Sequence, residues 1–125
     1  MKKSNTILRI IFGLFLLFFG LNGIFQFAAM PEVGPEAGAF FGAIASTKIF
    51  FPIIGIIEIV TGALILLNRA TPLALVVIFP ILFCAVLFHI SLNPEGILFA
   101  LMGLVLNVIL FFSYKEKYRP LLNNE

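Results

Sequence analysis

Residues 49–67 read IFFPIIGIIEIVTGALILL, nineteen positions holding one charged side chain, Glu58, near their centre. A helix of about 20 apolar residues crosses a hydrocarbon core of about 30 Å. The run has no period-two alternation, so it is not a barrel strand, and in lipid its amides need the internal hydrogen bonds of a helix. A carboxylate at mid-depth costs about 2.5–3.5 kcal/mol on insertion scales, and such residues face a bundle interior. This stretch therefore sets both the fold class and the search for a site.

Working outward, three more apolar runs share its character: residues 7–27, 73–92 and 97–112. The 125 residues are 62% hydrophobic and 11% charged, with mean hydropathy +1.17. One small aqueous domain has no place for so much apolar surface. The expectation is an all-α bundle of four transmembrane helices forming a single integral membrane domain over residues 1–125. The first run exceeds the apolar core of a signal peptide and no A-x-A-like cleavage site follows, so it is expected to stay as a helix.

Charge gives the orientation. Lys2, Lys3 and Arg9 are assigned to the start of the first span, Arg69 to the second turn, and Lys115, Lys117 and Arg119 follow the fourth span, against Lys48 on the other side with Glu32, Glu36 and Glu95. The positive-inside rule then places both termini in the cytoplasm, for a multi-pass protein of a bacterial inner membrane. The basic tail YKEKYRP is read as meeting lipid headgroups, with no nucleic-acid partner.

The connections are short except the first. In NRATP, Asn68 is a stop and Thr71-Pro72 an expected cap and first-turn pair. NPEG makes the third turn. The first connection carries Pro31 and Pro35, then a small-residue run from about Glu36 to Ser46, expected as a short interfacial helix over the outer mouth.

Around Glu58, the spacing puts Gly55 and Gly62 on its helical face with Thr61 beside it, so a neighbouring helix can approach closely. The fourth span offers Ala100, Gly103, Asn107 and Tyr114 on one face. Equal depth predicts a hydrogen bond between Glu58 and Asn107. Asn22 and Gln26, one turn apart, and His89 add polar groups in the outer half. Glu58, Asn107, Asn22, His89 and Gln26 are thus the candidates for ligand binding or proton exchange. The competing reading of the amides is interhelical bonding, worth about 0.6 kcal/mol on average. Pro80 frees the Val76 carbonyl and is expected to kink the third span. The sixteen phenylalanines supply packing and lipid-facing surface, or an aromatic-lined pocket.

Several chemistries are excluded. Cys84 is the single cysteine and His89 the single histidine, so there is no C-x-x-C pair, no bis-histidine haem and no metal cluster. No phosphate loop or dinucleotide fingerprint is present, which disfavours a self-contained redox enzyme and any intrinsic cofactor.

Four stretches, LRIIFGLFLLFFGLNGIFQF, PIIGIIEIVTGALILLNR, PLALVVIFPILFCAVLFHISLNPEG and LNVILFFSYKEKYRPLL, together resemble the DoxX and DoxX-like family of small four-helix membrane proteins over nearly the whole chain. The telling positions are Arg9 with Gly13 and Gly20, Glu58 with Gly62, and the Asn-Arg turn. Where that family often carries a basic residue near Asn22, this chain has the amide. The resemblance implies an accessory subunit of a quinone-linked redox system, such as thiosulfate:quinone oxidoreductase, with quinone as ligand and a redox-enzyme subunit or a second copy as partner. It also lies near four-helix proteins of thiol redox maturation, whose cysteine pair is missing here. The alternatives are a ligand-free structural scaffold and a small proton-coupled transporter.

Overall fold

The computed structural model describes residues 2–30 and 32–123. Among these there is no strand, and the helices are α1 (Lys3–Phe25), α2 (Pro35–Ala45), α3 (Phe50–Leu66), α4 (Thr71–Leu92), α5 (Ile97–Ser113) and α6 (Lys115–Leu122), with a 3-10 turn at Pro94–Gly96 before α5. Pro31, the first proline of the long connection, lies outside the described residues.

Among the described residues, three helices are long and apolar enough to cross a membrane: Lys3–Phe25, Thr71–Leu92 and Pro94–Ser113. The count becomes four if α2 and α3, bent by 87° at their junction, form one broken span. Apolar side chains such as Leu14, Ile56, Val77 and Phe83 are exposed on the outer faces, which suits contact with lipid acyl chains.

The most extensive packing joins α1 to α3. A side chain at Gly13 would lie 2.9 Å from the Leu66 backbone, and one at Gly62 would lie 3.0 Å from the Leu17 amide nitrogen. At Gly20 it would meet the Gly55 carbonyl at 2.9 Å. The two helices thus touch backbone to backbone along an antiparallel seam, which only small residues permit. Gly55 and Gly62 act as their spacing foretold, but their partner is α1 rather than the fourth span.

The buried core is formed by Phe12, Leu16, Ile65, Ala74, Leu75, Ile78, Leu82 and Leu110. These residues occupy the half of the bundle that carries the start of α1 and the end of α5. Asn68 in left-handed backbone (φ 54°) ends α3, and its Oδ1 accepts from the Thr71 hydroxyl and from the Tyr114 hydroxyl, each at 2.9 Å. The cap position is Ala70, and Thr71 with Pro72 opens the first turn, so the expected Thr71 cap is displaced by one residue. α4 continues as helix through Pro80. Beyond α5, α6 is tied back by the Tyr118 hydroxyl, which donates to the Pro72 carbonyl at 2.8 Å, and by stacking of Tyr118 on Phe111.

Candidate functional site

The opposite half of the bundle is less tightly filled. Two cavities of about 450 and 710 Å³ lie there and share Phe41, Phe51, Ile54, Glu58 and Ala85, so they form two lobes of one partly open cleft. α2 roofs it: the Phe41 ring meets Phe88 of α4 at 4.4 Å and Phe51 of α3 at 5.8 Å between centroids.

Glu58 reaches the cleft because the seam fixes its helix. Gly20 lets α1 approach to where a side chain would lie 3.0 Å from the Glu58 Cβ, which turns the carboxyl off the α1 contact and into the space beside it. The residue is half-buried and, among the described residues, no hydrogen-bond donor reaches its carboxyl. Its main-chain oxygen also accepts from the Thr61 hydroxyl at 3.3 Å.

The other candidates separate. Asn22 and Gln26 line the larger lobe together with Glu58. Asn22 is buried and its Oδ1 accepts from the Ala28 amide at 2.7 Å, which holds the chain as it leaves α1. Gln26 is the left-handed closing residue of α1 and is exposed. His89 lines the smaller lobe, where its Nδ1 lies 3.1 Å from the Asn93 carbonyl at the end of α4. Asn107 does not join them. Its Nδ2 donates to the Leu75 carbonyl at 3.0 Å, and it lines a separate cavity with Val76, Phe79 and Phe111 on a different face of α4. The expected Glu58–Asn107 bond is therefore absent: equal depth fixes distance along the axis, while the direction of each side chain is set by which helix packs next to it.

Two contributors were not placed by the sequence. Arg9, assigned there to the flanking charge, is 9% exposed inside α1, and its Nη1 donates to the carbonyls of Ile65 and Leu66 at 2.6 and 2.7 Å. Its Nε is buried with no partner among the described residues. An arginine placed four residues before a seam glycine was the available signal, since the orphan carbonyls of a facing helix end require donors. The second is the ring cluster of Phe40, Phe41, Phe51 and Phe88, drawn from three helices whose juxtaposition no local pattern reports.

Chemically, the cleft offers one carboxyl, one imidazole edge, the Cys84 thiol and two amides within aromatic and aliphatic walls. No protein-family model, curated protein or solved structure matches the chain.

Proposed function

We propose that this chain is a bacterial inner-membrane protein with four spans, α1, α3, α4 and α5, both termini cytoplasmic, whose Glu58 cleft holds a small lipophilic molecule. Supporting the fourth span, the 17 residues of α3 make about 26 Å of helix and run antiparallel against α1. α2, set at 87° to α3, then lies along the membrane surface as a roof. Lys2, Lys3, Arg69, Lys115, Lys117 and Arg119 gather at the end that carries the termini, which favours that end as the cytoplasmic one.

The observation that carries the function is the Glu58 carboxyl facing a cleft with no donor among the described residues bonded to it. Membrane helices leave an acid at depth where it serves a ligand or a proton path. In this role Glu58 meets the polar group of the bound molecule while the phenylalanines hold its apolar body. The resemblance to DoxX-like proteins, and that alone, adds an accessory place beside a quinone-linked redox enzyme.

Mass spectrometry of protein extracted gently from its membrane tests this. A stoichiometric small molecule is expected in the wild type and is lost in Glu58→Gln. Protein that carries none, or an equal amount in the variant, removes the proposal. Asn22 and Asn107 are better read as structural, since each is engaged with main-chain groups.

A further inference from the structure

We propose that the Glu58 cleft selects a lipophilic cation, a quaternary ammonium or phosphonium head on an apolar body; this deepens the ligand-pocket reading above and rests on it.

Two features of the walls argue for it. The first is charge. Neither lobe is lined by a lysine or arginine, and no donor among the described residues reaches the Glu58 carboxyl. Arg9, the other charged side chain deep in the helices, is bonded to Ile65 and Leu66 at the far end of α3. Lys48 lies in the α2–α3 connection, exposed and outside the lining. A carboxylate in apolar surroundings stays ionised only with a positive counter-charge beside it, and otherwise takes up a proton. The lining holds no lysine or arginine, and its one imidazole, His89, is turned to the Asn93 carbonyl at 3.1 Å, so a cationic ligand completes it.

The second is the aromatic cluster. Phe41 stands between Phe88 and Phe51, and Phe40 adds a third contact to Phe88 at 5.4 Å between centroids. Ring faces carry partial negative charge and attract a desolvated cation, most strongly one without N–H groups that must keep hydrogen bonds. The carboxyl and this packed ring cluster line the same space, so one ligand can meet both. A neutral ring such as a benzoquinone can stack on the same phenylalanines, but its carbonyls only accept hydrogen bonds, so it engages Glu58 only as the protonated acid and brings no counter-charge to the carboxylate. The smaller lobe, about 450 Å³, falls within the range of small-molecule sites.

The test is equilibrium dialysis of the full chain in maltoside micelles, corrected with protein-free micelles, using three probes: tetraphenylphosphonium, tetraphenylborate of the same shape and opposite charge, and a short-chain benzoquinone. The phosphonium is expected to bind at least about tenfold more tightly than the borate, and Glu58→Gln to lower its affinity by about tenfold or more. Phe41→Leu keeps an apolar side chain in the roof and removes a ring, so it should weaken the phosphonium by about three- to fivefold relative to the benzoquinone. Because that result is a ratio between probes on one sample, partial loss of folded protein does not imitate it. Benzoquinone binding that depends on Glu58, without phosphonium binding, would keep the pocket and overturn the cationic class. If none of the probes binds, the pocket reading falls and this proposal with it.

Discussion

Arg9 Nη1 donates to the Ile65 carbonyl at 2.6 Å, joining two residues 56 positions apart at the point where α3 ends. The same nitrogen reaches Leu66, so one guanidinium bonds two carbonyls in the last turn of α3, of which the Ile65 carbonyl also accepts from the Asn68 amide at 3.2 Å. A cation there also opposes the negative end of the α3 dipole. Charged hydrogen bonds of this kind are worth about 1.5–3 kcal/mol. Arg9→Met is therefore expected to lower the stability of the bundle by about 2 kcal/mol, with Arg9→Lys intermediate because a single ammonium lacks the fork. Detergent-titrated unfolding monitored by circular dichroism measures this, and an unchanged midpoint in Arg9→Met would contradict it.

The α1–α3 seam makes a contrast between two glycines of one helix. A methyl group at Gly13 lies 2.9 Å from the Leu66 backbone, whereas one at Gly23 meets nothing within 4 Å. Gly13→Ala must push the helices apart and should cost about 1–3 kcal/mol. Gly23→Ala should be neutral or stabilising by up to about 1 kcal/mol, since alanine loses less backbone freedom in a helix. Equal effects at the two positions would argue against the seam.

Asn107 stitches α5 to α4 through the Leu75 carbonyl and stands apart from the Glu58 cleft. Asn107→Leu should cost about 0.6 kcal/mol, and no more than about 1.7, in line with measured interhelical bonds. The same variant should retain whatever the cleft binds. Loss of that ligand in Asn107→Leu with the fold intact would join the two sites after all.

Tyr118 gives a pH-dependent reading of α6. Burial, and then the neighbouring Tyr114, push its phenol from 10.0 up to about 12. Between pH 10 and 12 the docked tyrosine keeps a proton that an undocked one releases, so docking is at full strength below pH 10 and weakens as pH rises through 12. With two tyrosines and no tryptophan in the chain, ultraviolet titration resolves the step cleanly. A phenolate transition near pH 12, absent in Tyr118→Phe, is expected; its appearance near pH 10 in the wild type would show α6 undocked.

Much of the bundle was legible because lipid imposes a simple rule: apolar runs become helices, and their lengths nearly fix their limits. The run read as 73–92 is the helix Thr71–Leu92, and that read as 97–112 is Ile97–Ser113. Gly55 and Gly62 announced a close helix contact, and Glu58 an inward face. The identity of each neighbour was not legible. Asn107 found a main-chain carbonyl, a group every residue carries and no sequence pattern marks. Arg9 looked like flanking charge because its value as a donor depends on where another helix ends. The cross-chain setting of α2 follows from the turn around Lys48, whose backbone is left-handed (φ 65°) although it is not glycine.

The backbone-to-backbone seam has a mechanical consequence. With no cushion of side chains between them, α1 and α3 are geared together and move as one rod. Slack is left on the side of the α2 cover, which packs on α3 and α4 far less extensively than α1 packs on α3. Traffic into the acid-bearing chamber would then pass beneath that cover, leaving the paired rods undisturbed.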